Sequence, residues 1–133
     1  MTEHQLFNFL EDKFAGLERA EDPFSTWDCT FSVETPLTTV NYYAELKCRD
    51  THYPDLLIEE DKYRRLMVAA SSAGRRPVYI CSTPEGIWGW DLIKVSMPKW
   101  KEEMHNKTTE FEDTEKVLKL VGYLPIAQGR RLM

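Results

Sequence analysis

Tyr43-Ala44-Glu45-Leu46-Lys47-Cys48-Arg49 is the stretch on which the reading of this chain turns. Side chains alternate across a strand, so Glu45, Lys47 and Arg49 share one face and Ala44, Leu46 and Cys48 the other. The segment upstream alternates as well. Over residues 24–33, Trp27, Cys29, Phe31 and Val33 fall on one side and Asp28, Thr30 and Ser32 on the opposite one. Glu34-Thr35-Pro36-Leu37 reads as a turn, followed by a second strand from about Thr38 to Arg49. A turn about Pro36-Leu37 sets Asp28 opposite Glu45, and Trp27, Cys29 and Phe31 opposite Leu46, Ala44 and Tyr42. Apolar then meets apolar on one face and polar meets polar on the other, as a half-buried hairpin requires.

Two carboxylates directly across a strand pair repel one another unless something lies between them. A divalent cation resolves the conflict, and Mg²⁺ (or Mn²⁺) takes one or two carboxylates while keeping several waters. Lys47, two residues along the same face, brings an ammonium that can orient a metal-bound water or offset charge on a pentavalent phosphate. Asp28, Glu45 and Lys47 are therefore the candidate catalytic residues, with Asp28 and Glu45 as metal ligands.

Outward from the hairpin, Thr2 and Gln5 form a capping box that opens a helix carrying Leu6, Phe9, Leu10, Phe14 and Leu17 on one face, and Pro23 ends that region. Asp55 is the expected N-cap of a helix from about Leu56 to Ala73, closed by Gly74, with Leu56, Tyr63, Leu66, Met67 and Ala70 as its core stripe. On that helix Glu59 falls inside the apolar stripe and Lys62 at its edge. A carboxylate facing the core needs a partner, and Lys47 or Arg49 is the expected one. Pro77–Ser82 reads as a short buried strand that pairs with Ile87–Val95 across a turn at 83–86. Lys-Val-Leu-Lys-Leu-Val-Gly-Tyr before Pro125 reads better as a strand than as a helix. Helix, hairpin, helix, hairpin and further strand make an α/β sandwich of mixed topology. No repeat, low-complexity tract or linker divides it, so residues 1–133 are expected to form one domain.

Asp28 and the triplet Glu45-Leu46-Lys47, set in this element order from about residue 2 to residue 82, resemble the PD-(D/E)xK nuclease superfamily. ELKCRD, LIEEDKYRRL and PVYICSTPEGIWGWDL are similar to small members of that superfamily found in phage and bacterial genomes. The resemblance implies a restriction-endonuclease-like core, a mixed β-sheet flanked by helices, and a metal-dependent nuclease that hydrolyses phosphodiester bonds of DNA, with RNA left open. It also implies that the Leu46 carbonyl completes the metal shell, that the first helix adds an acidic residue (Glu11 is the candidate), and that Glu59 and Lys62 support the site from behind. The sequence departs from the family pattern at Trp27, which stands where the family has proline.

Net charge is −5, against a nucleic-acid partner on average, yet residues 62–101 hold eight bases and two acids. Arg49, Lys62, Arg64, Arg65, Arg75 and Arg76 are the candidate DNA contacts. A domain of 133 residues covers little DNA, so cutting both strands is easiest as a twofold homodimer. No apolar run is long enough to span a bilayer, and the acidic start MTEHQLFNFLEDKF is unlike a signal peptide. Three scattered cysteines argue against disulfides or a zinc site and fit a reducing cytoplasm. Trp88 and Trp90 share a strand face and are expected in the core. Two other readings stay open: a non-catalytic module that binds nucleic acid or protein on this scaffold, and a surface ion network of Asp28, Glu45, Lys47 and Arg49.

Overall fold

The computed structural model describes residues 1–22, 25–106 and 115–133. Pro23 lies outside them. Helix α1 (Glu3–Lys13) opens with the expected capping box, in which Thr2 accepts from the Gln5 amide at 3.1 Å while the Gln5 side chain accepts from the Thr2 amide at 2.8 Å. After the short strand β1 (Glu18–Arg19) come β2 (Cys29–Glu34) and β3 (Thr39–Cys48), which form the hairpin. Its register is the expected one, with Cys29 against Ala44 and Phe31 against Tyr42. β2 begins at Cys29 rather than at residue 24, and this moves Trp27. Its indole lies flat on the Tyr43 ring, 4.0 Å between centroids and 3° between planes, and so joins the face of Glu45, not that of Cys29.

The chain then departs from expectation. Asp55–Glu59 is a strand, β4, and the second helix, α2, runs only from Glu60 to Ser72. Leu56 and Ile58 are buried alternately with Leu57, the period of a strand, although Leu56 alone also falls on the helical stripe of Tyr63, Leu66 and Ala70. The decision is tertiary, because β4 pairs antiparallel with β8 (Lys116–Pro125). Asp55 therefore caps nothing. Glu59 holds the N-cap position without a side-chain hydrogen bond, and Glu60 and Asp61 set negative charge against the positive end of the helix instead. The C-terminus ends as expected. Gly74 takes φ 66°, and the Arg75 amide donates to the Ala70 carbonyl at 2.8 Å.

β5 (Arg76–Thr83) returns parallel to β3, β6 (Gly86–Asp91) pairs back on it, and β9 (Arg130–Arg131) closes the edge. The large sheet thus has the order β1-β2-β3-β5-β6-β9, and a smaller antiparallel one has the order β4-β8-β7, with β7 spanning Lys101–Asn106. The 117–124 region is the strand the pattern favoured. One face of the large sheet packs Phe31, Ala44, Leu46, Val78 and Ile80 against Leu6, Phe7 and Leu10 of α1. The other packs Tyr79, Trp88 and Trp90 against Tyr63 and Leu66 of α2 and Leu56, Ile58 and Leu124 of the small sheet. This is a mixed α/β architecture with a mixed sheet between two helices, as the sequence predicts. No helix among the described residues is long and apolar enough to cross a membrane.

Arg49 joins the two sheets. Its Nη2 donates to the Leu57 carbonyl at 3.1 Å, the acceptor that the buried Tyr79 hydroxyl also reaches at 3.2 Å. Its Nε is buried without a partner among the described residues. The free edge of β4 is thus tied down by a guanidinium that the sequence reading assigned to DNA. Arg49→Met should cost about 1 kcal/mol, the net worth of one hydrogen bond, because the Tyr79 hydroxyl still satisfies the Leu57 carbonyl. Urea unfolding measures it, and an unchanged midpoint would return Arg49 to the surface role.

Candidate active site

The carboxylates gather where β2 begins and β3 ends. The Asp28 amide donates to the Ala44 carbonyl at 2.8 Å, and its Oδ2 accepts from the Leu46 amide at 2.7 Å. This pair of bonds fixes Asp28 beside Glu45, one step past the ladder, as the hairpin register requires. A strand residue turns its amide and its carbonyl to the same edge. The Leu46 carbonyl therefore faces the Asp28 side as well.

Glu45 is nearly buried, its side chain 11% exposed. Burial foremost, and then the negative charge of Asp28, push its carboxyl up to about 7. The opposing influence is Lys62, whose ammonium lies 3.3 Å from Glu45 Oε1. Burial works against the charge of Lys62, but Glu45 outweighs it and raises the lysine above its ordinary value. Lys47 shifts the other way. Burial, then Arg49 and Lys62, lower its ammonium, and it forms no ion pair among the described residues. Lys62→Met should therefore raise the pH at which Glu45 ionises by about one unit, the worth of one close ion pair. A pH series of Mn²⁺ binding reads the midpoint, and an unmoved midpoint would remove Lys62 from the site.

The first helix contributes a different acid from the one expected. Glu11 is exposed and lies two turns along α1, roughly 12 Å by helical rise, from the end that meets Asp28. Glu3 is at that end. Partial burial and then Asp28 raise its carboxyl, while Arg19, Lys47 and Lys62 pull it down, so it feels the same cluster. The signal in the sequence is the capping box itself, since Thr2 fixes Glu3 as the first residue of the helix. Glu59 does sit near Lys47 and Lys62, but its partner is Lys119 of β8 at 3.1 Å, neither Lys47 nor Arg49. Lys119 was missed because the fold brings β8 beside β4, a pairing no local pattern announces.

The arginines offered for DNA are engaged elsewhere. Arg64 pairs with Glu60 and Asp61, and Arg65 with Asp61, along the exposed face of α2. Arg75 donates to the Tyr42 carbonyl and lies 5.0 Å from the Tyr43 ring centre, and Arg76 pairs with Asp91 at 2.8 Å. Both of these lie at the start of β5 beside Tyr42, four residues along β3 from Leu46. The cations near the carboxylates are the lysines 47, 62 and 119.

Among the described residues no three His, Cys, Asp or Glu side chains converge as a metal cage. A pair of carboxylates and a backbone carbonyl, all hard oxygen donors, nevertheless fits Mg²⁺ or Mn²⁺, which retain water in most of their shell. A nearly buried acid repelled by its neighbour is also a direct reason for a cation to bind there.

No protein-family model matches the chain, and no curated protein matches it in sequence. Among solved structures it is similar to Hjc from Archaeoglobus fulgidus, a Holliday junction resolvase from an archaeal hyperthermophile. The two share 14% identity with a TM-score of 0.58, over 97% of this chain and 86% of that one. At that identity the likeness concerns the fold: this chain has the restriction-endonuclease-like architecture, α1, hairpin, α2 and returning strand included.

Proposed function

We propose that the chain is a metal-dependent nuclease of the PD-(D/E)xK type acting on DNA, with Asp28, Glu45 and the Leu46 carbonyl as the metal-binding group. The observation that carries this reading is the nearly buried Glu45 held against Asp28 with two lysines in attendance. A structural ion network has no reason to bury one acid against a second. Bound Mg²⁺ or Mn²⁺ would supply Lewis acidity and an activated water. The chain's own part is to favour the charged form of Glu45 through Lys62 and to present Lys47, easier to deprotonate than an exposed lysine, toward the attacking water. Lys62, half exposed beside Glu45, is the cation offered to a substrate phosphate at the site itself, with Arg64 and Arg65 on the exposed face of the same helix as further contacts. The likeness to a Holliday junction resolvase favours branched DNA and a twofold dimer that cuts two strands.

The test is incubation of labelled four-way, linear and circular DNA with Mg²⁺, with Mn²⁺ and with EDTA, beside a folded Lys47→Ala variant. Metal-dependent cutting that the variant loses by about 100-fold or more is the expected result, the scale of a lost acid–base or charge-stabilising group. One observation favours the alternative of a binding scaffold without cleavage, namely that Arg64, Arg65 and Arg76 are held in internal ion pairs. Binding of DNA by both proteins without cutting by either would select it.

A further inference from the structure

An apolar cleft lies on the far side of the large sheet from the carboxylates. It measures about 330 Å³. It exists because α1 stops at Lys13, leaving the sheet uncovered beyond that point, and because Gly89 places no side chain in the middle of β6. Val78, Ile80 and Gly89 lie along its lining. One wall is a column of rings, Phe14 on Phe31 at 4.4 Å and Phe31 on Tyr42 at 5.1 Å, each pair 19° from parallel.

The charged groups lining this cleft are of one sign in their surplus. Lys13, Lys94 and Arg130 are exposed and form no ion pair among the described residues. The acid there, Asp91, is already taken by Arg76. Three unpaired cations around an apolar floor, on a chain whose net charge is −5, call for an occupant that brings carboxylates and a large apolar group together. A nucleic acid brings charge, but its bases would set polar edges against a floor without partners for them.

We propose that this cleft docks an acidic peptide segment of a partner protein, which seats one aromatic side chain against the partly exposed Phe14, Tyr42 and Leu132 and sets its carboxylates against Lys13, Lys94 and Arg130. Because Tyr42 and Glu45 lie on opposite faces of β3, the docked peptide leaves the carboxylate site open. Such a contact would bring the chain to its place of action without competing for its substrate. The proposal does not depend on the nuclease reading.

Fluorescence anisotropy with a fluorescein-labelled Asp-Asp-Asp-Leu-Gly-Phe peptide tests it on the full chain. The expected Kd is on the order of 10–100 µM, in keeping with a contact smaller than a standard interface. Changing the peptide's Phe to Ala, or the protein by Lys13→Glu with Arg130→Glu, should each weaken binding by about tenfold or more. Circular dichroism checks that the doubly substituted protein stays folded. Equal binding of the Phe and Ala peptides would reduce the effect to loose charge attraction and overturn the proposal. So would no binding at about 1 mM peptide, weaker than any useful docking. Self-association that the Lys13→Glu/Arg130→Glu variant abolishes would assign the cleft to a second copy, and equally overturn it.

Discussion

Asp28→Asn is expected to abolish metal-dependent cleavage, by about 1,000-fold or more, while leaving the fold in place; that factor corresponds to roughly 4 kcal/mol at the transition state. The structural cost is small because asparagine keeps the acceptor. Oδ2 of Asp28 takes a hydrogen bond from the Leu46 amide at 2.7 Å, and an amide oxygen can do the same. The backbone bond from residue 28 to the Ala44 carbonyl is untouched. What disappears is the charge, and with it half of the anionic pair offered to a divalent cation. Isothermal titration with Mn²⁺ should therefore show weaker binding in the variant, and circular dichroism should superimpose on that of the parent. Cleavage that survives with parental metal affinity would sink the assignment of Asp28. Loss of cleavage together with unfolding would show only that the Leu46 bond needs a carboxylate.

How far the site was legible in the sequence follows from the kind of interaction that builds each part. The hairpin was legible because its register is set by local alternation and a turn, both visible in one strand pair, and Asp28 and Glu45 come together on that account. Lys62 was legible as well, being one helical position away from the core stripe. Asp55–Glu59 was misread because Leu56, seven residues before Tyr63, also falls on the stripe of the helix that follows, while the pairing that makes the segment a strand is with the distant β8. The same distant strand supplies Lys119, so one non-local pairing hid both. Glu3 was passed over for Glu11 because helix periodicity says which face is buried and nothing about which end abuts the hairpin. The ion pairs of the arginines were hidden for a further reason. A run of basic residues reads as a patch only while their partners are unknown, and Asp61 and Asp91 are those partners here. The same holds for Arg49, drawn inward by the Leu57 carbonyl.

Glu45→Gln should stabilise the metal-free protein, and by an amount that grows with pH. Burial and the charge of Asp28 raise the Glu45 carboxyl from 4.5 to about 7, so the folded chain holds that proton more tightly than the unfolded chain does. Stability is then full below the unfolded value and falls as pH rises from about 4.5 to about 7, because folding must bury a carboxylate that has lost its proton. Taken at face value the shift is worth about 3 kcal/mol above neutrality. Loss of the bond to Lys62 offsets part of it, though little, since that ammonium is half exposed. Thermal melts at pH 5 should place parent and variant close together. At pH 8 the variant should melt several degrees higher, following the usual few degrees per kcal/mol for a chain of this size. Mn²⁺ should invert the order at pH 8, because a ligand that binds only the folded state raises its stability in proportion to affinity, and glutamine supplies no charge to hold it. A gap between the melts that is the same at both pH values would mean that Glu45 is ionised without penalty. The carboxylate pair would then lack the stored repulsion that gives a cation its reason to bind.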